Sequence, residues 1–164
     1  MKAAIVYGSK SDSTIMKKAA DVLGDFGVDY TSHILSAHRV PELLHETISR
    51  LEAEGNEVII AGAGLAAHLP GVIASLTTIP VIGVPIAGGS LGGIDALLSI
   101  VQMPRPIPVA SVGIDNAANA AYLACEILSI KYPELKKALM EFRKKMKDDF
   151  ASDKEPDYEQ KLRR

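Results

Sequence analysis

The sequence predicts an α/β fold: a parallel sheet covered by helices on both faces, wound as a three-layer flavodoxin-like or Rossmann-like domain, with an extra C-terminal helix. Two observations carry this prediction. Short apolar runs alternate along the chain with longer helical patterns, the signature of successive β-α units. Polar, glycine-rich loops follow the apolar runs, whereas the opposite connections, such as Gly27-Val28-Asp29 and Glu54-Gly55-Asn56, read as plain turns.

The strand candidates are residues 3–7, 30–35, 57–61, 81–84 and 109–112. Each is short and mostly apolar, as a strand covered on both faces must be. Helix candidates fall between and after them, at about 12–26, 41–54, 66–76, 93–102 and 116–130. Pro41 suits a first helical turn, and Glu42 beside it complements the positive end of the helix dipole. Leu44, Ile48 and Leu51 then repeat at helical spacing. Asp115 is placed to cap the last of these helices, where Ala117, Ala118, Ala120, Ala121 and Ala124 permit close approach to a neighbour. Right-handed crossovers wind such units into one sheet.

With 164 residues, no internal repeat and no linker, the α/β body spans 1–132 as one domain. A sixth helix is expected over 133–150. Leu135, Leu139, Phe142 and Met146 step along it by four, three and four residues, a narrow apolar stripe on a heavily charged helix. Such a stripe fits equally a helix lying on its own domain and one docking on another subunit. Residues 151–164 hold four acids, four bases and almost no apolar groups, the composition of a charged tail.

Composition excludes several classes. Hydrophobic residues at 48% and charged residues at 23% argue against disorder. A net charge of -2 and 5% aromatics argue against a nucleic-acid surface. One cysteine excludes a disulfide framework and a multi-cysteine zinc site, and no histidine pair has zinc-ligand spacing. No apolar run reaches membrane-spanning length, and the start lacks a signal-peptide pattern, so no membrane partner and a cytoplasmic setting are expected.

In a parallel sheet the β-to-α loops open at the carboxyl edge, where ligands bind. Seven of the 13 glycines lie in the first four such loops. Gly8-Ser9-Lys10-Ser11-Asp12 offers hydroxyls and a helix start suited to an oxyanion or a sugar hydroxyl, although Ser11 or Asp12 could simply cap the helix. Ser36-Ala37-His38-Arg39-Val40-Pro41 says more. Arg39 stands where a phosphate would meet both a guanidinium and a helix dipole. His38 beside it is available for proton transfer, though a lone loop histidine is ordinarily surface. His68 follows the Gly62/Gly64 loop and could line the same pocket. His33 and His45 read as strand and helix positions near the surface, and Cys125 as a small buried hydrophobe. Gly62-Ala63-Gly64-Leu65-Ala66-Ala67 matches the dinucleotide fingerprint formally. It follows the third strand, however, and the next acid is Asp95, too far for the expected ribose contact.

These loops carry a resemblance. Gly8-Ser9-Lys10-Ser11-Asp12, Ser36-Ala37-His38-Arg39-Val40-Pro41 and Gly62 through Gly71 resemble the PurE family of purine biosynthesis, as do 95–104 and 119–124. The resemblance spans about residues 3–130. It implies an enzyme acting on carboxylated aminoimidazole ribonucleotides. The bacterial type moves a carboxylate from the exocyclic nitrogen to C4 of the imidazole. A second type, aminoimidazole ribonucleotide carboxylase, makes the same product from CO2. The resemblance further implies a homo-octamer with active sites between subunits, which favours docking of the 133–150 helix on a neighbour, and no cofactor, metal or ATP. Residue by residue, it implies proton transfer by His38, substrate binding by Ser9, Asp12 and Arg39, and phosphate-pocket hydroxyls from Ser11 and Ser36. Three positions depart from the family pattern. Leu65 replaces a usual glycine, Val40 a usual threonine, and the 86–92 loop lacks a Gln-Ser pair; the mutase type is favoured. The competing class is a non-catalytic module binding FMN or a nucleotide, against which the scarce aromatics and the His38-Arg39 pair count.

Overall fold

The computed structural model describes residues 1–152. Five parallel strands, β1 (Lys2–Tyr7), β2 (Asp29–Ile34), β3 (Val58–Gly64), β4 (Val81–Ile86) and β5 (Ala110–Ser111), lie in the order β2-β1-β3-β4-β5. This is the flavodoxin-like member of the doubly wound folds. Among the described residues six α-helices, α1 (Ser13–Asp25), α2 (Pro41–Ala53), α3 (Leu69–Leu76), α4 (Ile94–Val101), α5 (Ala117–Ser129) and α6 (Pro133–Ser152), accompany it. Among the described residues no helix is long and apolar enough to cross a membrane.

Strand alternation divides the core into two layers. Ala3, Ile5 and Tyr7 of β1 pack with Met16 and Leu23 of α1 and the buried alanines of α5. Ala4 and Val6 point the other way, toward Leu44, Ile48 and Leu51 of α2 and the apolar faces of α3 and α4. Ala117, Ala120, Ala121 and Ala124 are fully buried, which lets α5 lie close against α1. Gly62 serves the same closeness: a Cβ there would sit 2.4 Å from the Met16 sulfur.

Three expectations need correction. β3 runs to Gly64 and β4 to Ile86, so parts of the anticipated third and fourth loops are strand, and α3 begins only at Leu69. The fifth strand shrinks to two residues, because its ladder with β4 joins only Ile82 to Ala110 and Gly83 to Ser111. Asp115 does not cap α5. Asn116 does, its side-chain oxygen accepting from Asn119 N at 3.3 Å.

The first turns of α6 lie on their own domain. Leu135 and Leu139 are buried in the α1–α5 layer, and the Phe142 ring meets Phe26 edge-on at 5.6 Å and stacks on Tyr122 at 5.3 Å. Arg143 pairs with Glu126 of α5. Beyond this, Met140, Met146 and Phe150 face outward. Residues 151 and 152 continue α6; the rest of the anticipated tail lies outside the described residues.

Candidate active site

The order of strands reverses between β1 and β3: the chain leaves β1 for β2 on one side and β3 for β4 on the other. At the carboxyl ends of these two strands the connecting loops diverge and leave a crevice. It holds a cavity of about 810 Å³. Ser9, Ser11, Asp12, Ser36, His38 and Arg39 all line it, and so do Leu65, His68 and Asp115.

The β1–α1 loop enters as extended Ser9 and closes into a short 3-10 turn, Lys10–Asp12. The Ser9 hydroxyl oxygen accepts from Ser11 N at 3.4 Å. Ser11 Oγ lies 2.9 Å from Ser9 Oγ and 3.0 Å from Asp12 Oδ1, so its single proton has two acceptors in reach. Asp12 makes no side-chain cap bond to α1. Its carboxylate therefore serves the loop rather than the helix end.

The β2–α2 loop is a tight turn. Arg39 N and Val40 N both donate to Ser36 O, at 3.3 and 3.0 Å, and Pro41 opens α2. This turn sets His38 and Arg39 side by side at the crevice. Arg39 Nη2 donates to Gly8 O at 2.9 Å, which ties its guanidinium to the first loop. The cavity thus brings together a positive group, three serines and a helix start, the chemistry that receives a phosphate.

The β3–α3 loop supplies the second histidine. His38 Nε2 lies 2.6 Å from His68 Nδ1, with the rings edge-on and 4.8 Å between centroids. Two N–H groups cannot face each other at that distance, so one of the facing nitrogens is an acceptor and the pair holds a single proton between its rings. The contact orients His38 across the crevice, even though both rings are open to solvent.

The β4–α4 loop is tied down by Asp115. This residue takes a left-handed conformation, φ 58, which an aspartate tolerates better than most residues. Its Oδ1 accepts from Ala87 N at 2.8 Å, and its own N donates to Pro85 O at 2.9 Å. Asp115 thus fixes the cavity wall formed by Ala87, Gly88 and Gly89. Sequence reasoning missed this role because two residues able to cap a helix, Asp115 and Asn116, stand in a row. His68 was placed at the edge but not tied to His38, since a contact across 30 residues leaves no mark in local pattern.

The remaining candidates lie elsewhere. His33 is half-buried, its Nε2 3.0 Å from Thr31 Oγ1, and burial, then the Arg50 charge, hold its ring below the ordinary imidazole range. His45 is exposed on α2, and neither residue lines the cavity. Cys125 is fully buried in α5, and burial, then the neighbouring Glu126, push its thiol up to about 11. A thiolate is the reactive form. Native protein should therefore resist alkylation by iodoacetamide at neutral pH and react fast once unfolded. Fast reaction of the folded protein would show a more open α5 layer.

The sequence profile of the family described as AIR carboxylase matches residues 2–149. N5-carboxyaminoimidazole ribonucleotide mutase of Pyrococcus abyssi is 64% identical over 146 residues, covering 89% of this chain and 84% of that one. The protein of the same name from Pyrococcus horikoshii is 61% identical over 143 residues, covering 87% and 81%. Among solved structures, Treponema denticola PurE superposes with a TM-score of 0.86 at 28% identity, covering 99% of both chains.

Proposed function

Because the chain belongs to the AIR carboxylase family, we propose that it is the mutase that converts N5-carboxyaminoimidazole ribonucleotide to the 4-carboxy isomer in purine biosynthesis. One observation carries the reading. A histidine held by a second histidine shares a cavity with an arginine and a cluster of hydroxyls at the switch point of the sheet. The first part is a proton-transfer device, and the second is a ribonucleotide phosphate seat.

In this reading Arg39, Ser11 and Ser36 hold the phosphate, and Ser9 and Asp12 hold the ribonucleotide beside them. The imidazole of the substrate then lies toward His38. The carbamate N–C bond breaks, its electron pair passes to the exocyclic nitrogen, and that nitrogen takes a proton from His38. The released CO2 is attacked by C4, a C–C bond forms, and the C4 proton passes to His38. Protons and carbon balance, so the residues named need only one proton in circulation. The imidazolium form of His38 gives this proton, and the neutral imidazole it leaves takes the C4 proton back. His68, at 2.6 Å, keeps the His38 ring aimed through both steps.

The test offers purified protein the carbamate substrate in one assay and aminoimidazole ribonucleotide with bicarbonate in another. The mutase reading expects fast product formation only in the first. Equal or faster turnover in the second would make the protein a direct carboxylase.

We also propose a homo-octamer in the cytoplasm, with residues 1–132 as the catalytic domain and 133–150 reaching a neighbouring subunit. Leu91, Ile94, Leu98 and Val101, on and before α4, are each between 45% and 61% exposed, and Met140, Met146 and Phe150 are exposed apolar side chains on the otherwise charged α6. Faces of this kind ordinarily mark contact between chains. Light scattering should give the mass of eight chains. A monomer, or an octamer unchanged by truncation before Met140, would remove α6 from the interface.

A further inference from the structure

Leu65 follows the end of β3 with φ 54, in the left-handed region. A left-handed conformation strains a residue that carries a Cβ, and a glycine avoids that strain. At Asp115, the other described non-glycine residue with positive φ, two hydrogen bonds offset the strain. Leu65 has no polar side-chain atom to do the same. Nor does burial account for it, since the side chain is 56% exposed.

What the conformation supplies is position. The Leu65 side chain reaches from the third loop to the fourth: a Cβ built on Gly89 would lie 2.7 Å from Leu65 Cδ2. Gly89 is itself left-handed, φ 58, so the fourth loop presents bare backbone at the point where the leucine methyl arrives. Leu65 and Gly89 both line the cavity that holds His38 and His68. A strained residue thus holds a large apolar group across the gap between two loops of the cavity that also holds the two histidines. Strain that persists at a site without structural return points to function there.

We propose that Leu65 is the retaining wall of the site: its side chain, seated on Gly89, closes the gap through which CO2 would leave or water would enter between the two chemical steps. This rests on the mutase reading. CO2 is small and apolar and makes few hydrogen bonds, so polar residues hold it poorly. An apolar wall both confines it and keeps water from the site. The contact also explains the pairing of residue types. A Cβ at position 89 would meet the leucine methyl, and the left-handed backbone there favours glycine as well.

The test is a partition measurement. Enzyme is given N5-carboxyaminoimidazole ribonucleotide, and two outputs are read: the 4-carboxy product, and free aminoimidazole ribonucleotide left when CO2 escapes. Leu65→Gly opens the gap and relieves the strain, and should raise the ratio of escaped to transferred CO2 about tenfold, the effect of 1.4 kcal/mol between the two barriers. Leu65→Asn, which tolerates the left-handed backbone but offers a shorter polar group, should leak likewise. Leu65→Met, apolar and long, should retain most of the capture. Thermal melting separates folding from leakage, and Leu65→Gly should melt within a few degrees of the parent. A parent-like partition ratio in Leu65→Gly overturns the proposal. So does equal leakage from the methionine and glycine variants. A parent protein that forms no 4-carboxy product from the carbamate overturns the mutase reading, and the retaining wall falls with it.

Discussion

Replacing His38 with asparagine should leave the fold and most ligand binding in place and lower turnover by roughly 10²–10⁴-fold, the usual worth of a general acid-base group. Asparagine is similar in extent and keeps hydrogen-bonding capacity toward His68 and the substrate. It cannot give and take a proton near neutral pH. The backbone of the turn does not depend on the ring, because Arg39 N and Val40 N both hold to Ser36 O whatever stands at position 38. Single-turnover conversion of the carbamate, with ligand titration beside it, reads both effects. A variant that binds normally and turns over within a few-fold of the parent would remove His38 from the chemistry and leave His68 as the acid-base group.

Arg39→Ala should weaken binding of the ribonucleotide by about 1.5–3 kcal/mol, the range for a charged hydrogen bond. The argument has two parts. The guanidinium already sits against the first loop through its bond to Gly8 O, so its charge is positioned before substrate arrives. Ser9, Ser11 and Ser36 line the same cavity and offer a phosphate further donors. The loss should be confined to the phosphorylated ligand. Titration with the ribonucleotide and with its dephosphorylated nucleoside separates the two, because loosening of the first loop alone would weaken both alike. Equal loss for both ligands would show that Arg39 acts as a tie between loops rather than as the phosphate partner.

Most of the architecture was legible because its signals are local. The apolar run from Ala3 to Tyr7 has no polar face to leave in water, so it had to lie inside a covered sheet, and its residues do divide between the two core layers. Pro41 and the Leu44, Ile48 and Leu51 spacing likewise marked α2 within a residue of its observed end. The limits of β3 and β4 were harder. Gly62, Ala63 and Gly64 look like loop because they lack bulk, yet a Cβ on Gly62 would meet the Met16 sulfur and one on Gly64 the Ile86 carbonyl oxygen.

The site was legible in its parts and not in its connections. His38 and Arg39 announced themselves by type and by their place before a helix. That Arg39 would grip Gly8, or His38 meet His68, depends on how three loops converge at a switch point, and no local pattern encodes that. Leu65 stood out as a departure from a glycine position. Its left-handed backbone, and the bare glycine it lies on, appear only once the third and fourth loops are side by side.

The central claim is that one cavity breaks a carbamate and returns the same carbon to C4. The most direct measurement supplies N5-carboxyaminoimidazole ribonucleotide labelled with ¹³C at the carbamate carboxyl, in unlabelled bicarbonate buffer, and reads the product carboxyl by carbon NMR during the first turnovers. The account predicts that the label appears at the C4 carboxyl of nearly every product molecule. Product carrying an unlabelled carboxyl, drawn from the buffer, would contradict it.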